Sequence, residues 1–166
     1  MTDVADPIRV LFICTHNSAR SQMAEGMLRA WGRGRFDVAS AGTEVTRVRP
    51  EAIKVMDELG VDISGHHSKS LTEFLGEPWD WVITVCDQAR ETCPYFPGAK
   101  NTTHWGFEDP SAAQGTDEER LAVFRRVARE IGVRYVILHV GDEFGYAGFT
   151  PADPKTGLVA RSVLDF

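Results

Sequence analysis

The stretch from Ile8 to Trp31 changes its hydrophobic period once, and that change constrains the fold more than any other feature of the chain. Val10, Leu11, Phe12 and Ile13 form an unbroken apolar run behind Ile8, the pattern of a strand buried on both faces. From Ser18 the spacing of Met23, Met27, Leu28 and Trp31 is that of a helix with one apolar stripe. Between the two lies Cys14-Thr15-His16-Asn17-Ser18-Ala19-Arg20-Ser21. A turn from a strand into a helix N-terminus points successive backbone N–H groups into one concavity, and the helix dipole adds partial positive charge. A cysteine at the lip of such an anion cradle would be held as thiolate. The planar fork of Arg20 suits two oxygens of a tetrahedral oxyanion. Asn17 is one of the few residue types that tolerate the left-handed backbone a tight anion loop requires. The segment therefore predicts thiolate attack on a bound phosphate-like anion, with residues 15–21 as its cradle. The plainer alternative is a half-buried structural cysteine at a strand end. A nucleotide-binding loop is disfavoured, because neither glycine-rich spacing nor a Gly-Lys-Ser/Thr ending is present.

Cys-x5-Arg is a weak signal alone, and neither Cys86 nor Cys93 repeats it, since Thr92 and Ala99 stand at that offset. The remaining chain supplies the context. Phe36 to Ala41 reads as a short strand ending in Gly42. Pro50 opens a helix striped by Ala52, Ile53, Val55, Met56 and Leu59 and stopped by Gly60. Residues 64–69 are loop by composition, and a short helix is expected around Leu71 to Leu75. Trp81 to Val85 is a near-continuous apolar run, as in a central parallel strand, and Thr102 to Phe107 is a weaker strand. Thr116 to Ile131 reads as a helix with Thr116 as N-cap and acidic residues in its first turn. The alternation predicts an α/β fold, a small open four-stranded parallel sheet with helices on both faces. Ligands in such folds sit at the carboxyl ends of strands, where Cys14 falls. Residues 1–132 are expected to form this domain. Residues 133–166 are read as a C-terminal extension packed on it, with Tyr135 to Val140 as another strand.

Composition removes several function classes. With 18 basic against 24 acidic residues the net charge is −6, and no dense Lys/Arg run offers a nucleic-acid surface. No window approaches a membrane span, and the first residues lack a basic and apolar secretory pattern. Three cysteines suit reactive thiols in a reducing compartment better than a disulfide framework, so a cytoplasmic protein is expected.

Cys86 lies just past the Trp81–Val85 run and so reaches the same edge of the sheet as Cys14. Its separation from Cys93 fits no common zinc or thioredoxin-type motif, and zinc at His66, His67 or His104 is disfavoured. Were residues 87–93 helical, a rise of about 1.5 Å per residue would put the two Cα atoms roughly 10 Å apart. A disulfide needs them within about 7 Å, so pairing would require the segment to unwind. Spacing leaves open a redox switch or two unrelated cysteines. Asp109 is the candidate general acid: Pro110 restricts it to extended backbone, and a neighbouring bound anion favours its protonated form.

Together these segments resemble the thioredoxin-coupled arsenate reductases related to low-molecular-weight protein tyrosine phosphatases. The resemblance rests on Cys14 through Glu25, Ser40-Ala41-Gly42-Thr43, Val61-Asp62-Ile63-Ser64, Val85-Cys86 through Cys93-Pro94, and Trp105 through Pro110. It implies that Cys14, assisted by Arg20 and Ser21, attacks arsenic in arsenate while Asp109 protonates the departing oxygen. Cys86 would then attack Cys14, Cys93 would attack Cys86, and thioredoxin would reduce the resulting Cys86–Cys93 disulfide. It also implies a monovalent cation, potassium, at Asn17, Glu25, Ser40 and Asp62. Two departures stand out: His16 occupies a loop position that is glycine in many relatives, and Ala19 one that is cysteine in some. The alternatives are a phosphatase for phosphotyrosine or small phosphate esters, and a redox- or oxyanion-responsive binding module. Phosphate ester hydrolysis has no use for Cys86 and Cys93.

Overall fold

The apolar run at Ile8 becomes an enclosed strand, paired along both edges. In the computed structural model, which describes residues 6–87 and 95–143 (135–143 by backbone alone), β1 spans Ile8–Cys14. It pairs in parallel with β2 (Phe36–Gly42) on one side and β3 (Trp81–Thr84) on the other. β4 (Asn101–His104) pairs in parallel with β3, giving the strand order β2-β1-β3-β4. Side chains of a strand alternate between faces, and both faces of β1 are covered. Val10 and Phe12 join one apolar cluster, Leu11 and Ile13 another. All four are essentially inaccessible, each contributing about 1.5–3 kcal/mol of apolar burial.

The two faces are covered unequally. α1 (Arg20–Trp31), α2 (Pro50–Glu58) and α3 (Asp117–Glu143) supply Met23, Met56, Phe124 and Val127 to the Val10–Phe12 cluster. A 3-10 turn at Leu71–Phe74 covers the opposite face together with Trp79 and Phe96. The short helix expected at 71–75 is thus a single tighter turn. Helix boundaries follow local chemistry. Pro50 occupies the first turn of α2, and Gly60 takes φ 77° just past its end. Thr116 caps α3 reciprocally: its hydroxyl accepts from the Glu119 N–H at 3.2 Å, and the Glu119 carboxylate accepts from the Thr116 N–H at 2.9 Å.

One expectation fails. Tyr135 to Val140 is helix, not strand, because α3 continues unbroken to Glu143 across the expected boundary at residue 133. Extending a helix that is already nucleated fixes one residue per new hydrogen bond. The only breaker between Ile131 and Val140 is Gly132, which costs about 1 kcal/mol. The β-branched run at 135–140 is outweighed by the helix preceding it. No helix among the described residues is long and apolar enough to cross a membrane.

Candidate active site

The loop after β1 is shaped by the outward bonding of its carbonyl groups. The Thr15 carbonyl accepts from the Glu44 N–H at 2.9 Å and the Thr43 hydroxyl at 3.2 Å. That of His16 accepts from Ser68 Oγ at 2.8 Å and Thr46 Oγ1 at 3.3 Å. Gln22 Nε2 reaches the Asn17 carbonyl at 3.1 Å, and the Arg49 N–H reaches that of Ser18 at 2.8 Å. A peptide unit whose C=O faces outward presents its N–H to the other side, so four successive units are turned toward the concavity. Asn17 supplies the reversal with φ 48°, as its residue type allows. Gly42, at the end of β2, makes room: a Cβ there would stand 2.6 Å from the Thr15 oxygen and 2.8 Å from the Asn17 nitrogen. α1 then begins with neither a side-chain cap nor an acidic residue in its first turn, leaving its dipole directed at the loop.

Cys14 ends β1 with its thiol buried. Its Sγ accepts from the Asn17 N–H at 3.1 Å and lies 2.8 Å from Ser21 Oγ. Asn17 Nδ2 donates to Ser21 Oγ at 2.8 Å, so the Ser21 proton is directed to the sulfur. Arg20 opens α1 and is 2% exposed; its Nη1 donates to the Phe107 carbonyl at 3.3 Å, and its Nη2 lies 3.7 Å from the Asp109 carboxylate. Asp109 is extended, as Pro110 requires, and its Oδ1 accepts from the Ser111 N–H at 3.0 Å. The candidate nucleophile, candidate anion-binding guanidinium and candidate acid are thereby brought to one place from β1, α1 and the segment after β4. His16 turns outward, its Nε2 3.0 Å from a Glu44 carboxylate oxygen.

Cys86 reaches the same edge. The Val85 N–H donates to the Ile13 carbonyl at 2.9 Å, which continues the β3–β1 pairing and sets Cys86 one residue past the level of Cys14 on the adjoining strand. Cys86 is fully buried and disulfide-bonded, whereas Cys14 is a free thiol. Cys93 and most of the 87–93 segment lie outside the described residues. Beside this edge, His104 Nδ1 lies 2.7 Å from Thr84 Oγ1, and burial holds its proton affinity below the usual histidine value against the opposing charge of Asp87.

A polar core beneath the loop was only partly readable in the sequence. Gln22, fully buried, donates through Nε2 to Asn17 Oδ1 at 2.8 Å and to the His67 carbonyl at 2.9 Å. Its Oε1 lies 3.0 Å from His66 Nδ1. Glu25, one turn further along α1, faces His66 Nδ1 at 2.9 Å, Arg29 Nη2 at 3.4 Å and Lys69 Nζ at 3.8 Å. Burial raises the Glu25 proton affinity, but the His66 hydrogen bond and the Lys69 and Arg29 charges outweigh it and hold the carboxyl below its ordinary value. The readable signal was a glutamine and a glutamate on the buried side of α1, with a histidine pair in the loop facing them. The four groups expected to hold potassium do not fit one as they stand, because Glu25 already faces the Lys69 and Arg29 cations and Asp62 serves its own turn. Asn17 Oδ1 already accepts from Gln22 Nε2 and from the Lys69 N–H at 2.9 Å. Ser40 Oγ accepts from Asn17 Nδ2 at 2.8 Å, and Asp62 is exposed and accepts from the Ser64 N–H of its own turn at 2.9 Å.

Comparison with known proteins agrees with this geometry. Residues 9–139 match the family described as low molecular weight phosphotyrosine protein phosphatase, seven residues beyond the expected domain end. The chain is 49% identical over 125 residues to an arsenate reductase of Halalkalibacterium halodurans, covering 75% of this chain and 90% of that one. A solved arsenate reductase in its phosphate binding state superposes with a TM-score of 0.69 at 37% identity, covering 80% of this chain and 97% of the other. A thioredoxin-dependent arsenate reductase of Corynebacterium glutamicum gives a TM-score of 0.53 at 30% identity, with 80% and 64% covered. The chain belongs to the low molecular weight phosphotyrosine protein phosphatase family, among its arsenate reductases.

Proposed function

We propose that this protein reduces arsenate to arsenite in the cytoplasm and is recycled by thioredoxin. Arsenate enters the loop, its oxygens accepting from the inward N–H groups and from Arg20. The Cys14 thiolate attacks arsenic, an As–O bond breaks, and Asp109 gives the departing oxygen its proton so that water leaves. The Cys86 thiolate then attacks Cys14 Sγ. The S–As bonding pair passes to arsenic, which leaves as arsenite, two electrons richer, and a Cys14–Cys86 disulfide remains. Cys93 attacks Cys86, releasing Cys14 as thiolate and leaving Cys86 and Cys93 joined. A thioredoxin dithiol takes up that disulfide in two further exchanges.

The observation that carries this reading is the placement of Cys86. It sits just past the end of the strand adjoining that of Cys14, at the same sheet edge, buried and disulfide-bonded while Cys14 stays a free thiol. A phosphatase would use the same loop, Arg20 and Asp109 but has no step for an oxidised Cys86. The test couples the reduced protein to thioredoxin, thioredoxin reductase and NADPH. Arsenate is expected to drive many turnovers of NADPH oxidation, whereas a phosphate ester gives hydrolysis alone. Folded, reduced protein that hydrolyses the ester and leaves NADPH untouched would reverse the assignment.

A further inference from the structure

Glu25 is a buried carboxylate that no step of the reaction uses, and a buried charge must be compensated. Its compensation comes from the chain itself, and hydrogen-bond logic fixes how. All three close partners of Gln22 Nε2 are oxygens, so Gln22 Oε1 is the atom that faces His66, and His66 Nδ1 must donate to it. The same Nδ1–H reaches Glu25 Oε2 at 2.9 Å. Arg29 Nη1 lies 3.3 Å from His66 Nε2; a guanidinium only donates, so Nε2 accepts. His66 is therefore clamped between Arg29 and the Glu25–Gln22 pair. Glu25 Oε1 is left to two cations, Arg29 Nη2 at 3.4 Å and Lys69 Nζ at 3.8 Å. Lys69 also donates from its backbone to Asn17 Oδ1, so the residue that carries the charge helps hold the left-handed turn of the loop.

We propose that Lys69 stands in for a bound monovalent cation beneath the oxyanion loop, with His66 as the positioning residue that holds Gln22, and through it Asn17, beside Cys14. An unbroken polar chain runs Glu25–His66–Gln22–Asn17–Ser21–Cys14, each link between 2.8 and 3.0 Å. A monovalent ion in this place would sit against Glu25 Oε1, where the Arg29 guanidinium stands 3.4 Å away and the Lys69 ammonium 3.8 Å away.

The experiment is thermal unfolding of the full chain in potassium, sodium and choline chloride at about 0.1 M, where screening is alike for all three. The wild type is expected to unfold within about 1 °C in each, whereas a well-saturated potassium site would raise Tm by about 5 °C or more. Lys69→Met strips one cation from Glu25 and is expected to acquire that response, gaining several degrees in potassium over choline. His66→Ala is expected to weaken binding of inorganic phosphate about tenfold, and His66→Gln, which restores a donor, to recover most of it. A potassium-specific rise in the wild type overturns the proposal. So do a Lys69→Met protein indifferent to the three salts and a His66→Ala protein with unchanged phosphate affinity. Should Lys69→Met fail to fold in choline, recovery in potassium supports the replacement and failure there refutes it.

Discussion

Replacing Gly42 by alanine tests whether the end of β2 sets the shape of the anion loop. Gly42 does not lie in the left-handed region, so no backbone strain accompanies the change and contact alone decides it. The new methyl would meet the Thr15 oxygen at 2.6 Å, the Asn17 nitrogen at 2.8 Å and the His16 carbonyl carbon at 3.0 Å. All three are backbone atoms, so no side chain can swing away; the loop must retreat by about 0.8 Å to reach the 3.4 Å where ordinary contact begins. Overpacking of this kind costs about 1–3 kcal/mol, or about 2–12 °C in Tm for a chain of this length. The larger effect falls on chemistry, because the displaced Asn17 N–H is a donor to Cys14 Sγ. Misplacement approaching 1 Å costs about a hundredfold in kcat/KM. Calorimetry and initial rates of thioredoxin-coupled arsenate reduction measure both. Gly65→Ala is the control, since a Cβ there has nothing within 4 Å. Gly42→Ala protein with wild-type Tm and kcat/KM would show that the loop is not held against β2, and the reasoning would fail.

Cys86→Ser and Cys93→Ser are each expected to abolish thioredoxin-coupled turnover while sparing phosphate ester hydrolysis, and Cys14→Ser to abolish both, in parallel assays of the two reactions. Arg20→Lys keeps the charge but loses the planar fork, so oxyanion affinity measured by calorimetric titration is expected to fall about tenfold or more. Glu25 is held below the ordinary carboxyl value, so its charged interactions stabilise the fold above about pH 4.5 and are lost as pH falls through the lowered value. Glu25→Gln is therefore expected to cost most stability near neutrality and progressively less toward acid, read by denaturant unfolding at several pH values. Thr116→Ala removes the α3 cap and is expected to cost about 1 kcal/mol, a Tm decrease of about 2–4 °C with kcat unchanged.

The β1–loop–α1 unit was legible because each of its parts has its own local signature: an apolar run, a cysteine–arginine spacing and a helical stripe. The parallel sense of the sheet followed from the alternation of periods, since parallel strands need crossovers. The site was legible where its residues lie next to one another, as Cys14, Arg20 and Ser21 do, or where proline dictates the backbone, as at Asp109. Local propensity misled at Tyr135 to Val140, where β-branched residues sit downstream of a capped helix that carries them along. The groups beneath the loop were hidden for another reason. His66 matters because Gln22 and Glu25 meet it across 44 and 41 positions of chain, and no local pattern reveals such a contact. The expected cation set met the same limit. Asp62 resembles a ligand by position in the chain, yet its carboxylate serves its own turn while Lys69 holds the place beside Glu25.

The outward bonding of the loop carbonyls also bears on how a small dianion can be held at all. Six residues separate Cys14 from Ser21, and freezing a backbone costs about 1–2 kcal/mol per residue. Were the loop to take shape only on binding, that toll of about 6–12 kcal/mol would rival the whole free energy of a micromolar complex, about 8 kcal/mol. A five-atom ligand has too few contacts to meet it. By tying Thr15, His16, Asn17 and Ser18 to Glu44, Ser68, Gln22 and Arg49, the fold meets that entropy loss during its own folding. The arriving anion then has only water to displace.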